Sequence, residues 1–263
     1  MRLILVGGLF AKVPRLSPAT KVVALLAAML GAVAALGLVA SAASAATFSN
    51  NGGITINDGS ENCSGTPATA AGTADPYPSE ITVSGLGSSV SDVNVTLTGL
   101  SHTYPDDVGV LLVGPKGQKT ILMTDVGGPI GTPASGVDLT FDDEASGALP
   151  DEGPLSSGTY KPTRGTQAPD SCFAPESFPK DATGTNPPAA PYGSSLSVFD
   201  GTDPNGTWKL YVIDDNVLDT GSIDGWSLDI KARARNFFSN NVAIATDPGS
   251  TANAGSVFII HRD

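Results

Sequence analysis

Histidine, cysteine and methionine are scarce in this 263-residue sequence, at two, two and three residues. Lysine and glutamate are also few. The shortage of histidine bears on catalysis, because a nucleophilic serine needs an oriented base beside its hydroxyl. His261 lies almost at the C-terminus. His102 stands beside Tyr104 at the start of an apolar run, and reads as a structural residue hydrogen-bonded at a strand end. No Gly-x-Ser-x-Gly elbow occurs. Paired aspartates are plentiful, but nothing distinguishes a catalytic carboxylate from a loop carboxylate. Long stretches of 3.6-residue periodicity are missing beyond the first 46 residues, so helix is expected to be a minor component.

Charge is also missing from Val22 to Ala46, an Ala/Leu/Val-rich run preceded only by basic residues: Arg2, Lys12, Arg15 and Lys21. It ends in Ser41-Ala42-Ala43-Ser44-Ala45-Ala46, whose small-x-small spacing suits signal peptidase. Residues 1–46 therefore read as a signal peptide cleaved near Ala45-Ala46, giving a secreted chain with no membrane attachment. A retained anchor is the alternative, since the apolar run is long enough to span a bilayer. The whole chain has a formal charge of −12. Removing the four basic residues of the leader leaves ten Lys+Arg against 26 Asp+Glu, or about −16. Such a surface repels phosphate backbones and anionic lipid, which excludes nucleic acid as a natural partner. After export, Cys63 and Cys172 meet an oxidising environment and are expected to pair, two free thiols being the alternative. The loop so closed would contribute about 4–5 kcal/mol by chain-entropy reasoning.

Thr47 to residue 76 is rich in Gly, Ser, Thr and Asn, with one short strand expected at Ile54-Thr55-Ile56. Alternation then sharpens. Ile81 and Val83, followed by Val93, Val95 and Leu97, show the two-residue period of half-buried strands, which Gly99-Leu100-Ser101 is expected to break. Val108 to Val113 reads as a fully buried strand, and Gly114-Pro115-Lys116-Gly117 as the turn leading to its hairpin partner, Lys119 to Met123. From Gly127 to Pro191 loops dominate, interrupted by Val137 to Phe141 and tied down by the Cys63–Cys172 bond. Trp208, Leu210 and Val212 alternate with polar residues, as do Trp226, Leu228 and Ile230. These two strands are expected to pair antiparallel, with both tryptophans in the core rather than on a sugar-stacking surface. Short strands and frequent turns predict an all-β, jelly-roll-like antiparallel sandwich over residues 77–231, with an uncertain tail at 232–263.

Two stretches carry a family resemblance. Leu100-Ser101-His102-Thr103-Tyr104-Pro105-Asp106-Asp107-Val108, followed by Leu111-Leu112-Val113-Gly114-Pro115-Lys116-Gly117, is one. Gly206-Thr207-Trp208-Lys209-Leu210-Tyr211-Val212-Ile213-Asp214, followed by Asp219-Thr220-Gly221-Ser222-Ile223-Asp224-Gly225-Trp226-Ser227-Leu228, is the other and the more specific. Together they resemble the P domain of the proprotein convertases, over about Tyr77 to Ile230. The resemblance implies a jelly-roll-like sandwich that normally follows a subtilisin-like catalytic domain and stabilises it. The His-Gly-Thr-His and Gly-Thr-Ser motifs of that catalytic domain do not occur here.

Calcium is the ligand the acids suggest, because it takes six to eight oxygens from carboxylates and loop carbonyls. Three clusters are candidates: Asp106/Asp107, Asp142/Asp143/Glu144 and Asp214/Asp215/Asp219. The alternative is turn capping through side-chain-to-backbone bonds, which the strand-end positions of Asp107 and Asp214 favour. Three functions compete on this reading. One is a non-catalytic exported structural or interaction module, stabilised by calcium, with an unknown protein or cell-surface partner. The second is an accessory domain serving a subtilisin-like protease. The third is a carbohydrate-binding module using Tyr160, Phe178 and Tyr192 as exposed aromatics.

Overall fold

Wherever apolar and polar residues alternate, the chain forms strands, and these stack as two sheets. The computed structural model describes residues 43–59, 71–128, 132–166 and 178–233. Among them, thirteen strands and two 3-10 turns appear. One seven-stranded sheet has the order β1 (Ala43–Asn50), β13 (Gly225–Arg233), β5 (Ser89–His102), β12 (Gly221–Ile223), β2 (Ile54–Ile56), with β8 (Ala134–Phe141) also on β5 and β9 (Gly158–Tyr160) on β8. The other, six-stranded, runs β10 (Thr163–Arg164), β7 (Lys119–Thr124), β6 (Val108–Val113), β11 (Gly206–Asp214), β3 (Gly72–Thr73), with β4 (Ser79–Val83) also on β11. Pairing is antiparallel except at β7–β10 and β8–β9. The expected all-β sandwich is what forms.

The core lies between the sheets. Trp208, Leu210 and Val212 enter it from β11, Val108, Val110 and Leu112 from β6, and Val93, Val95 and Leu97 from β5. Trp226, Leu228 and Ile230 of β13 complete it. The anticipated pairing of the two tryptophan strands is corrected here: β11 pairs with β6 and β4, whereas β13 pairs with β5 and β1. Both tryptophans are buried in one core, but they reach it from opposite sheets. Each indole N–H has an acceptor, Trp208 Nε1 donating to the Pro204 carbonyl at 2.9 Å and Trp226 Nε1 to Ser79 Oγ at 2.9 Å. That satisfies the one polar group a buried tryptophan brings with it.

Gly99 does not end its strand. It takes φ +67°, and a β-carbon there would stand 2.2 Å from Asp224 Oδ2. Glycine is therefore required, and β5 continues through a register shift to His102. The β6–β7 hairpin forms as expected, with Gly117 supplying φ +87° at the turn. The segment 47–76 is not separate from the sandwich, since β1 and β2 belong to one sheet and β3 to the other. The cut anticipated near Ala45-Ala46 falls inside β1, whose residues Ala43 to Ala46 pair with Arg233 to Ile230. The rest of the leader, Cys63, Cys172 and the tail beyond Arg233 lie outside the described residues.

A second apolar cluster covers the outer face of the six-stranded sheet. Leu111, Val113, Ile121, Tyr211 and Ile213 meet Tyr77, Phe178 and Tyr192. Tyr77 packs edge-on to Tyr211 at 5.0 Å, and Phe178 to Tyr192 at 5.8 Å. Phe178 and Tyr192 are thus buried, each 7% exposed, and Tyr160 is half-buried against the main core. The aromatics proposed for stacking on a glycan are packing residues.

Candidate functional site

Charge collects where β5 and β11 end and β6 begins. Pro105–Asp107 forms a 3-10 turn, with the Asp107 N–H donating to the Tyr104 carbonyl at 3.2 Å. Register along β6 and β11 sets Asp214 opposite Val108, and the Asp215 N–H donates to the Asp107 carbonyl at 2.9 Å on the next rung. Asp107, Asp214 and Asp215 are all buried, and so is His102 at the end of β5. Gly221 of β12 lies directly on the imidazole: a β-carbon there would be 2.3 Å from His102 Cδ2.

The imidazole is committed on both sides. Nδ1 lies 2.8 Å from the Tyr104 carbonyl and 3.3 Å from the Tyr104 backbone nitrogen, so it is the donor in one tautomer and the acceptor in the other. Nε2 lies 3.2 Å from Asp214 Oδ2, and both side chains are wholly enclosed. The alignment is that of an ion pair rather than a well-formed hydrogen bond, since neither atom has a hydrogen-bond partner. Burial pushes the Asp214 carboxyl up, while His102 and the Asn216 N–H, bonded to Asp214 Oδ1 at 3.0 Å, oppose that rise. No imidazole nitrogen remains to activate a serine. His102 cannot act as the base of a triad in this arrangement.

Asp107 is in a harsher setting. Its Oδ2 is buried without a hydrogen-bond partner. Burial pushes its carboxyl up to about 9, helped by the neighbouring charges of Asp215, Asp214, Asp219 and Asp106 in that order. Asp219 itself stands at the rim and accepts from Thr103 Oγ1 at 2.6 Å.

The remaining cluster lies elsewhere and works as an anchor. Asp143 accepts from Ser195 Oγ at 2.6 Å, Leu196 N–H at 3.0 Å and Ser197 N–H at 2.9 Å, fixing the start of the 3-10 turn Leu196–Phe199. Asp142 Oδ1 accepts from the Glu144 N–H at 2.7 Å, and contact with Asp142 raises the pKa of the exposed Glu144 carboxyl. Among the described residues, no three His, Cys, Asp or Glu side chains are gathered to hold a metal ion. The oxygens of Asp142, Asp143 and Asp219 already accept protein hydrogen bonds, Asp214 faces His102, and Asp107 is surrounded by acids. Asp143→Asn should accordingly lower stability by about 1–3 kcal/mol, the scale of weakened charged hydrogen bonds. Chemical denaturation in calcium and in chelator should give the same loss.

Comparison with known proteins places these elements. Residues 179–230 match the family model of the proprotein convertase P-domain. The match contains β11, β12 and most of β13, where the sequence resemblance was most specific, so this part of the all-β sandwich is similar to a P-domain. No curated protein matches the chain. Among solved structures, the chain is similar to one from Aeromonas sobria, its serine protease in a complex with a chaperone. Identity is 13% and the TM-score 0.33, over 78% of this chain. This chain spans 29% of that one.

Proposed function

We propose that this chain is a non-catalytic, exported P-domain-type module that acts by binding another protein. The P-domain match over residues 179–230 carries this reading. The commitment of both His102 nitrogens supports it, since the one described histidine has none left for chemistry. Export rests on the leader sequence, and among the described residues no helix is long and apolar enough to cross a membrane. A subtilisin-like protease is the partner class that the matched family favours. The carbohydrate reading loses its support with the burial of Phe178 and Tyr192.

Two measurements on the secreted protein test this. Incubated with an active-site serine probe and with casein, it should remain unlabelled and leave the casein intact. Labelling that a single Ser→Ala change abolishes would overturn the non-catalytic reading. Mixed with culture medium and probed the same way, the immobilised chain should retain a labelled serine hydrolase. Retention of none would remove the protease as partner and leave a free-standing module.

A further inference from the structure

We propose that Leu218 is an interface anchor, presented by the β11–β12 loop to a partner protein whose apolar socket is rimmed by lysine or arginine. This inference rests on the reading that the chain binds another protein, and it does not require that partner to be a protease. Leu218 is 89% exposed; the other exposed large hydrophobic among the described residues, Val198, reaches 43%. Single apolar residues at a surface need no explanation by themselves. The backbone sets this one apart. Leu218 has φ +78°, and among the described non-glycine residues Asp125 alone shares a positive φ. Aspartate and asparagine tolerate that region through local hydrogen bonds, whereas leucine crowds its β-carbon against the following carbonyl oxygen. Glycine suits the backbone here, and the leucine side chain buries almost nothing in return. A side chain that neither the backbone nor the core requires points to a use outside the chain.

The loop is fixed on both flanks. Leu218 N–H donates to Asp58 Oδ1 at 2.8 Å, and Gly59 N–H donates to the Asn216 carbonyl at 2.8 Å, which stitches the loop to the segment after β2. Asn216 Oδ1 accepts from Val217 N–H at 2.9 Å. Beyond the leucine, Asp219 accepts from Thr103 Oγ1 at 2.6 Å, and Thr220 N–H donates to the same hydroxyl at 3.2 Å. A tip held in this way costs little further ordering when it docks. Charge defines what it docks into. Asp214 and Asp215 lead into the loop, Asp219 follows Leu218, and Asp58 holds its N–H. The stretches that build the loop and its supports contain no lysine or arginine, since none occurs between Lys21 and Lys116 or between Lys209 and Lys231. A second copy of the chain would bring the same acids against these, and an anionic lipid surface would repel them. A leucine ringed by carboxylates is complemented by an apolar socket with a cationic rim.

The test replaces Leu218, or Val198 as a control, by photoreactive benzoylphenylalanine in the intact secreted protein, which is then irradiated in the medium of the producing culture. Position 218 should give adducts with a second protein where position 198 gives none. Excess wild-type chain should compete these adducts away, and about 0.5 M sodium chloride should diminish them by screening the charges. Leu218→Gly should compete at least about tenfold more weakly, the scale of losing an interface anchor. Because glycine accepts the positive φ, this variant should melt at or above wild type, which separates lost binding from lost folding. Leu218→Asn should behave in the same way. Absence of adducts through 218, or competition by Leu218→Gly equal to that of wild type, would overturn the proposal. So would a lower Tm in both variants, an adduct with a second copy of the chain, or equal labelling of phosphatidylglycerol vesicles. An amine-reactive cross-linker in the same medium checks the functional reading separately. Protein adducts through lysine but none through 218 reject this surface alone, whereas none by either route rejects both.

Discussion

Replacing Trp226 by alanine should lower the unfolding free energy by about 3–5 kcal/mol, the range for deleting a large aromatic from a core. Trp226 is 1% exposed and packs between sheets in one continuous cluster with Trp208, Phe141 and Phe199. Its position in the middle of the β5–β13–β1 ladder leaves little room for collapse, because Trp226 is opposite Leu97 on one side and Asn50 on the other. At about 2–4 °C per kcal/mol for a domain of this size, Tm should fall on the order of 10 °C. Trp226→Phe separates the packing from the polar contribution. It keeps most of the apolar volume but removes one of the two donors to Ser79 Oγ, which is 1% exposed and also accepts from Asn50 Nδ2 at 3.2 Å. That change should cost about 0.5–1.5 kcal/mol, the net scale of one hydrogen bond. A loss below 1 kcal/mol for the alanine variant would mean that the tryptophan is not enclosed between the sheets.

The second large effect concerns His102. Removing one member of a buried pair leaves the other charge without compensation, at a cost of about 3–5 kcal/mol. His102→Ala would leave Asp214 Oδ2, which is fully enclosed, without its partner. The loss should depend on pH in a defined direction. His102 is one of the influences holding the Asp214 carboxyl down against burial, so without it that carboxyl rises further and keeps its proton to higher pH. A protonated Asp214 carries no charge to strand. The gap between variant and wild type should therefore narrow as pH falls, and urea denaturation at pH 5 and pH 8 measures it. An equal gap at both values would mean that Asp214 is already neutral in the variant, and that the loss is one of packing alone.

How much of this was legible beforehand differs from element to element. The two-residue alternation at Trp208-Leu210-Val212 and at Trp226-Leu228-Ile230 marked both strands and both core faces, because alternation reports which side of a strand is dry. It could not report which strand lies beside which. The tryptophan strands follow each other closely in sequence, and proximity suggested a hairpin. Instead β12 intervenes and the chain crosses between sheets, so the two tryptophans enter one core from opposite sheets. Gly99 illustrates the same limit locally. A glycine inside a strand pattern signals either an end or a bulge, and only the approach of Asp224 decides for the bulge.

The acids divide along the same line. Their number and their distribution in loops were visible, and with them the choice between cation ligands and turn formers. What each carboxylate does depends on atoms brought in from far along the chain: Ser195 to Ser197 for Asp143, and His102 for Asp214. Burial of Phe178 and Tyr192 likewise needed the loop to fold over the outer sheet face. The sequence by itself determined the all-β class, the acidity and the closing P-domain-like strands, because these follow from local periodicity and composition. Sheet membership, the burial of Asp107, Asp214 and Asp215 and the histidine set between a carbonyl and a carboxylate were decided by tertiary structure alone, since burial arises only when distant segments meet.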